Sequence, residues 1–238
     1  MVKKRVARNA PIADSLFRSS PEWCVLDEVD LTTIEETAIC SSYDTGDIIF
    51  YEGDEVQGVY FVKSGLVGVR KADFEGNSTL LKIANPGDTL GYRPLAAEQP
   101  HRASAEVLKP SVICFIDAKT MRQIVQGNPA LGLNFLKRAA KELGDAEEKF
   151  HESVTLSTRA RFAHLLIVMQ DKLGHEAEDG SQQFTLPVSR SDLAAMLGVR
   201  RESISRVIHE LESMGIAEIT ERKVVVPDPD SLMNEFHR

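Results

Sequence analysis

Short hydrophobic runs separated by turns fill the chain from Tyr43 to Asp117. The runs are rich in β-branched and aromatic residues, and glycine-containing turns such as Gly65 separate them. This pattern predicts many short strands in a barrel or sandwich. The predicted strands are DIIFYE (47–52), GVYFVKSGLVGVRK (58–71), STLLKIA (78–84), RASAEVL (102–108) and SVICFID (111–117). Residues 92–101 interrupt them with at most one turn of helix.

Helical patterns lie on both sides of the strands. Residues 21–41 predict one or two short helices with Thr32 or Thr33 as N-cap. A second helix is predicted from about Thr158 to a C-cap at Gly174. Its buried face is Phe162, Leu165, Leu166, Met169 and Leu173.

Residues 128–157 predict one long helix with a narrow hydrophobic stripe. The stripe residues alternate in steps of four and three, which is coiled-coil spacing. They are Leu136, Ala140, Leu143, Glu147, Phe150 and Val154. Glu147 interrupts the stripe, and the charged residues Lys137, Arg138, Lys141, Glu142, Glu148 and Lys149 flank it. We expect this stripe to pair with a second copy of the chain; packing on the chain's own strands is the alternative.

Residues 189–214 predict two helices broken at Gly198–Val199, with Ser189 and Asp192 as an N-terminal capping pair. The second helix has an apolar face and a polar face, because residues three and four apart share one side. The apolar face is Ile204, Val207, Ile208 and Leu211; the polar face is Glu202, Ser205, Arg206 and His209. A helix-turn-helix with such a polar face is suited to reading base edges in a major groove.

The segment after this motif predicts a small hairpin. Residues 217–226 form two short strands around residues 221–223, where Arg222 and Lys223 are placed to meet phosphates. Residues 175–183 are polar and predict a loop or the tip of another hairpin.

Composition limits the class of protein. The 238 residues carry a formal net charge of −8, so nucleic-acid binding requires a local basic patch. The candidates are Arg200, Arg201 and Arg206, and Lys3, Lys4, Arg5 and Arg8 within a flexible basic arm over residues 1–20. We find neither a membrane-length apolar run nor a secretory signal. Three widely separated cysteines (Cys24, Cys40 and Cys114) suggest a reducing cytoplasm and no disulfide framework. We therefore expect a soluble cytoplasmic protein.

Enzyme classes find no support in the motifs. The sequence has no Walker loop, G-x-S-x-G elbow or HExxH motif, and Gly65–Gly68 is too short for a dinucleotide fingerprint. We predict no catalytic residues and no metal site. A ligand-binding module without DNA recognition is the remaining alternative, and Arg201, Glu202 and Arg206 on one helical face argue against it.

The motifs DIIFYEGDEVQGVYFVKSGLVGVRK (47–71) and VSRSDLAAMLGVRRESISRVIHELESMGI (188–216) resemble the cyclic-AMP receptor protein/FNR superfamily of bacterial transcription regulators. The resemblance covers roughly residues 21–235. It implies an α+β fold: an N-terminal cyclic-nucleotide-binding-type β roll (21–127), a dimerisation helix (128–157) and a C-terminal winged helix-turn-helix (158–238). It also implies double-stranded DNA and RNA polymerase as partners of a homodimeric activator.

The family pattern assigns roles on the second helix of the motif. Arg206 is expected to bind a guanine, Glu202 to accept from a cytosine amino group, and Ser205 to touch a thymine or a phosphate. A TTG-N-CAA-like inverted repeat is our hypothesis for the DNA site. The full set of expected DNA-binding residues is Ser189, Arg190, Arg200, Arg201, Glu202, Ser205, Arg206, His209, Arg222 and Lys223.

The sensor region departs from the family pattern. Tyr92 stands where members that bind cyclic AMP have a glutamate, and Ala103 stands in the hydroxyl position after the phosphate-binding arginine, Arg102. The usual use of cyclic AMP is therefore not expected. Arg102 holds another anion or pairs with Glu106 or Glu98. Candidate effector residues are Tyr92, Arg93, Arg102, Ser104, Gly144 and Asp145.

No cofactor is predicted. An iron–sulfur cluster usually requires four thiolates, and only Cys24 lies in the N-terminal region. Haem is an alternative that needs an axial ligand, and a thiol switch at Cys24 or Cys40 is another. The candidate haem ligands are His101, Cys114, Cys40 and His151. A regulator that needs no small effector is the preferred interpretation.

Overall fold

The computed structural model describes residues 14–74 and 78–237. The chain divides into two compact units, and the division falls between Gly144 and Asp145, inside the long helix. The predicted domain boundaries lie at the ends of that helix instead. Most of the predicted basic arm, including Lys3, Lys4, Arg5 and Arg8, lies outside the described residues. No helix in the described part is long and apolar enough to cross a membrane.

The first unit combines short helices with a strand-rich centre. Its elements are α1 (Asp14–Ser19), α2 (Glu28–Thr37), β1 (Ile39–Tyr43), β2 (Ile48–Phe50), β3 (Gly58–Ala72), β4 (Ser78–Ala84), β5 (Thr89–Leu90), α3 (Tyr92–Ala97), β6 (Ser104–Asp117), α4 (Ala118–Gly127) and the first part of α5 (Pro129–Thr155). The predicted strands are confirmed, and the last two of them join into β6. The sequence patterns missed β1, β5 and α4.

The strands form a six-stranded antiparallel sheet in the order β1-β6-β3-β4, with β2 on β6 and β5 on β3. The turn predicted at Gly65 is instead a bend within β3, where the register against β6 shifts. A Cβ atom at Gly65 would overlap Ser111 and the carbonyl of Pro110, and its φ is +90°. Glycine is therefore required because the two backbones approach closely.

Two clusters of buried side chains fill this unit. One lies among the strands and includes Phe50, Val62 and Val107. The other packs Phe17 of α1, Trp23 and Phe135 of α5 around Phe61 of β3, with edge-on and stacked ring contacts. Residues 14–20 are thus part of the unit rather than of an arm, because Phe17 is fully buried.

Helix α2 has a different N-cap from the predicted one. The Asp27 carboxylate accepts the backbone N–H groups of Val29 and Asp30 at 2.9 and 2.8 Å. Thr32 and Thr33 lie inside the helix, where their hydroxyls donate to carbonyls one turn earlier. The predicted threonine cap is wrong because Asp27, five residues before Thr32 and six before Thr33, starts the helix.

The prediction of reduced cysteines without a disulfide framework is wrong for one pair. Cys40 of β1 and Cys114 of β6 are direct cross-strand partners, and their sulfur atoms are bonded at 2.02 Å. A separation of 74 residues hides this pairing from sequence inspection. Among the described cysteines only Cys24 is a free thiol, so a thiol switch at Cys40 would require this bond to open.

The second unit holds the end of α5 and a helix-and-hairpin domain. Its other elements are α6 (Thr158–Leu173), β7 (His175–Glu176), β8 (Gln182–Thr185), α7 (Arg190–Met196), α8 (Arg201–Ser213), β9 (Glu218–Thr220), β10 (Lys223–Val226) and α9 (Pro229–Phe236). The strands form a four-stranded antiparallel sheet, β7-β8-β10-β9. The Gly174 C-cap of α6 is confirmed, and its N–H donates to the Gln170 carbonyl. Helix α9 was not predicted.

Candidate nucleic-acid interface

Helix α7 begins with the predicted capping pair. The Ser189 hydroxyl accepts the N–H of Asp192 at 3.2 Å, and the Asp192 carboxylate accepts the N–H of Ser189 at 2.9 Å. The helix ends at Met196 with Leu197 as its C-cap, and Gly198 takes a φ of +64°. The predicted break between the two helices is therefore confirmed, since a left-handed residue ends α7 three residues before α8 begins.

Helix α8 separates its apolar and polar faces as predicted. Ile204, Val207, Ile208 and Leu211 are buried. The opposite face is exposed and carries Arg201, Glu202, Ser205, Arg206 and His209. Packing of the buried face fixes the rotation of α8 about its axis. The direction in which the exposed side chains leave the helix is therefore also fixed.

The polar side chains at the start of α8 and along its predicted DNA-reading face are unpaired in the part of the chain that the structure describes. Within residues 14–74 and 78–237, the side chains of Arg200 to Glu202, Ser205, Arg206 and His209 make no hydrogen bond or ion pair. Guanidinium, carboxylate and hydroxyl groups presented in register, without internal partners, can bond to an external polar surface.

Two arginines of α6 bond to the helices of the motif and to α9. The sequence analysis missed both. Arg161 donates to the carbonyl of Leu197 at 2.8 Å, which satisfies a terminal carbonyl of α7 at the turn. Arg159 donates to Glu235 at 2.6 Å and lies 3.5 Å from Glu210 of α8. These contacts tie α6 to α7, α8 and α9. No sequence signal could have found them because the partners are 36 to 76 residues away.

The predicted wing is the β9–β10 hairpin. Arg222 and Lys223 are exposed at its turn, and Glu221 beside them has a φ of +54°. The carbonyl of Arg222 accepts the N–H of Leu186 at 2.7 Å. Arg190 is placed differently from the others, because its guanidinium donates to the carbonyl of Ile219 in β9 at 3.4 Å.

In the first unit, Tyr92 and Arg93, two of the residues suggested by the family's ligand positions, lie against other protein groups. Tyr92 is buried, with the Arg138 guanidinium 5.1 Å from its ring centroid and the Phe135 ring at the same separation. Burial and the charge of Glu142 raise the pKa of its hydroxyl. Arg93 forms an ion pair with Glu142 at 3.3 Å.

An arginine-centred ion cluster joins α5 to the sheet. Arg138 contacts Glu22 at 3.1 Å, Asp88 at 3.0 Å and Glu142 at 3.2 Å. Lys82 of β4 binds Glu142 at 2.8 Å. Burial disfavours the Glu142 carboxylate, but Lys82, Arg93 and Arg138 outweigh this and lower its pKa.

The sequence pattern predicts Arg138 and Glu142 as charged flanks of the helix stripe. They belong to the face of α5 that meets the sheet, which a heptad pattern alone does not distinguish from a solvated flank.

Arg102 and Ser104 have another set of neighbours. Arg102 is exposed, and its carbonyl accepts from Lys71 at 3.1 Å. The Ser104 hydroxyl accepts the N–H of Glu52 at 2.9 Å. The predicted partners of Arg102 are wrong: Glu106 pairs with Arg70, and Glu98 lies 3.9 Å from Arg122. Gly144 and Asp145 are exposed on α5. The six candidate effector residues thus divide among different environments.

The candidate haem ligands also differ in environment. The His101 ring stacks on Phe50 at 3.8 Å, and burial lowers the pKa of the imidazole, against an opposing effect of Asp54. Cys40 and Cys114 form the disulfide, and His151 is exposed.

The predicted stripe on α5 is exposed along its whole length. Leu136, Leu143, Phe150 and Val154 each expose more than half of their surface, and Ala140 and Glu147 are exposed too. Leu133, 52% exposed, extends the repeat one step toward the N-terminus and was missed. The alternative that the stripe packs on the chain's own strands is wrong, because Leu131 and Phe135 on another face do so.

Comparison with known proteins matches both units. Residues 40–128 match the cyclic nucleotide-binding domain, and residues 160–235 match the Crp-like helix-turn-helix domain. The chain is 25% identical over 213 residues to the transcriptional activator protein FnrL of Cereibacter sphaeroides, covering 88% of this chain and 85% of the relative. It is 25% identical over 188 residues to the cAMP-activated global transcriptional regulator CRP of Salmonella typhimurium, covering 77% and 87%.

A solved structure shows the same fold. The structure of FixK2 from Bradyrhizobium japonicum superposes with a TM-score of 0.74 at 24% identity, covering 84% of this chain and 97% of that one. The order of the domains, the two matched family models and these relatives all indicate the same family. The chain belongs to the CRP/FNR family of helix-turn-helix transcription regulators.

Proposed function

We propose that this regulator binds double-stranded DNA as a homodimer at a TTG-N-CAA-like inverted repeat and does not use cyclic AMP in the usual way. The observation that carries the proposal is the exposed, unpaired polar face of α8 on a helix whose other face is buried. Such a face has its hydrogen-bonding groups available before DNA arrives, so binding does not first break internal bonds.

Roles follow from side-chain chemistry on this face. Arg206 donates two hydrogen bonds to a guanine, and Glu202 accepts from the amino group of a cytosine. Ser205 and Arg201 complete the base-reading set. Phosphates are contacted from around the helix and from the wing. The phosphate-contacting residues are Ser189, Arg190, Arg200, His209, Arg222 and Lys223.

The dimer forms through the exposed stripe of α5. With Leu133 included, the repeat runs over seven positions from 133 to 154 in alternating steps of three and four. Large exposed apolar residues at this spacing match the contact line of a two-stranded coiled coil. A two-fold dimer presents two copies of α8 to the two halves of an inverted repeat.

The interpretation without cyclic AMP is supported by the contacts of Tyr92 and Arg93. Both side chains face the Arg138–Glu142 cluster and are held there by protein groups. A nucleotide at this position would have to displace those contacts. RNA polymerase is the proposed partner at promoters, where we expect the bound dimer to act as an activator.

The test is binding of the purified protein to a fluorescent duplex carrying the inverted repeat, followed by anisotropy. Replacing the guanine of each TTG half is expected to weaken binding about tenfold or more per half-site. The apparent affinity should fall steeply with salt and should not change when cyclic AMP is added. Equal affinity for the altered duplex would overturn the proposed site, and cyclic-AMP-dependent binding would overturn the effector-free interpretation.

A further inference from the structure

Strand β9 is an edge strand of the second unit's sheet. It is three residues long and, among the strands that the structure describes, pairs with β10 alone, through Ile219 opposite Val224 and the residues on either side. In an antiparallel pair, alternate residues direct their N–H and C=O groups away from the partner strand. On an edge strand these groups are left without a strand partner.

Two side chains of the helix-turn-helix bind both free groups of one residue on this edge. Glu212, in the last turn of α8, accepts the N–H of Ile219 at 3.2 Å. Arg190, at the start of α7, donates to the carbonyl of Ile219 at 3.4 Å. The Ile219 side chain is buried beneath them. Ile219 therefore connects the free edge of the hairpin to one side chain from each helix of the motif.

The same hairpin carries the wing residue Arg222. Its backbone carbonyl is bonded to the N–H of Leu186, so the hairpin is held at its turn as well as at its free edge. We propose that Glu212 and Arg190 are positioning residues that fix the wing relative to the recognition helix, so that Arg222 reaches a phosphate in the same complex. This inference rests on the DNA-binding function proposed above.

Substitutions of Arg190 and of Glu212 differ in how clearly they test the positioning of the wing. Arg190 has five donors and uses one on Ile219, so its remaining donors are available to a phosphate. A substitution there would mix positioning with direct DNA contact. Glu212 is an acid, which DNA repels, so any loss of affinity on its removal comes through the hairpin. Alanine at 212 keeps the helix intact because alanine is a strong helix former.

The test is a double-mutant cycle between Glu212→Ala and Arg222→Ala, measured as DNA affinity with Glu212→Gln as the matched control. Arg222→Ala alone should weaken binding about threefold to tenfold. Glu212→Ala alone should also weaken it, and adding Arg222→Ala to it should then cost less than about twofold. Glu212→Gln keeps a carbonyl oxygen that accepts from Ile219 and should bind as tightly as the wild type or tighter.

Independent effects that simply multiply would overturn the inference, as would a glutamine variant that behaves like the alanine variant. Amide hydrogen exchange at Ile219, measured without DNA, supplies a second arm. Exchange should accelerate in Glu212→Ala and stay near wild type in Glu212→Gln. If the wild type binds no DNA, the proposed function fails and the positioning role fails with it. If the wild type binds DNA normally but exchange at Ile219 is unchanged in Glu212→Ala, the positioning role alone is rejected.

Discussion

The two units use their charged residues in opposite ways. In the first unit, Arg138 is 12% exposed and contacts three carboxylates, and Tyr92 and Arg93 lie against the same group. In the second, Arg206 is exposed on α8 and has no internal partner in the described part of the chain. The family resemblance points to Arg93 in the first unit and to Arg206 in the second as ligand positions. Arg93 already pairs with Glu142, whereas the hydrogen-bonding groups of Arg206 are free.

This difference separates a structural role from a recognition role. Removing one member of a buried ion cluster strongly lowers the free energy of unfolding, because the remaining charges stay buried without compensation. An exposed, unpaired arginine contributes little to folding, and its removal is felt only when a ligand is bound. Stability and binding measurements on matched arginines therefore test the comparison directly.

The largest effect is expected from Arg138→Met. The substitution keeps much of the side-chain volume but leaves Glu22, 9% exposed, and its neighbours without their cation. We expect the first unit to lose about 3 kcal/mol of unfolding free energy in urea titrations. Arg93→Met is the control, because Arg93 is 60% exposed and makes one ion pair, and it should cost less than about 1 kcal/mol. Equal costs for the two variants would show that burial of the cluster does not matter.

Arg206→Ala should show the reverse pattern. Folding stability should change by less than about 0.5 kcal/mol, because the side chain is exposed and unpaired. Affinity for the inverted repeat should fall by about 1–3 kcal/mol, and the variant should no longer distinguish the guanine from other bases. Anisotropy titrations on the two duplexes and a urea titration check both halves. Retained discrimination would move base recognition to another residue.

The sequence predicted the second unit better than the first. The capping residues Ser189 and Asp192, the break at Gly198 and the two faces of α8 are all local, and spacing alone encodes them. The contacts of Arg161 and Arg190 were not predictable, because each joins a helix to backbone groups far along the chain.

In the first unit the sequence predicted the strands, but it did not predict which polar residues or cysteines contact each other. Arg138 lies in a helix whose heptad spacing favours a solvated flank, and its partner Glu22 is 116 residues away. Cys40 and Cys114 become partners only through the register of β1 and β6. Hydrophobic period reports which face is buried; it does not report which charged residue the burial brings to which partner.

The next largest effect is expected in the pH dependence of the first unit's free energy of unfolding. Burial keeps the pKa of His101 below its usual 6.5, so below that pH the unfolded chain binds a proton that the folded unit excludes. The stability from this group is present above pH 6.5 and is lost as pH falls toward the lowered pKa, by at most about 1.4 kcal/mol per pH unit. His101→Phe keeps the stack on Phe50 and should flatten urea-derived stability between pH 7 and 5.5. A slope that stays at the wild-type value in His101→Phe would contradict the burial argument.

The smallest effect is expected at the wing turn, where Glu221 holds a φ of +54°. Glu221→Gly removes the steric cost of this left-handed conformation and should stabilise the second unit by about 0.5 kcal/mol. It also removes a negative charge next to Arg222 and should raise DNA affinity about twofold. Glu221→Gln separates the two causes, because it removes the charge and keeps the left-handed cost, so only affinity should rise.

Glu98→Gly is the counterpart in the first unit, where Glu98 has a φ of +51°; it should add stability there without changing DNA binding. Thermal unfolding and anisotropy on the three variants measure both quantities, and a stability gain in Glu221→Gln would show that charge rather than backbone conformation limits the turn.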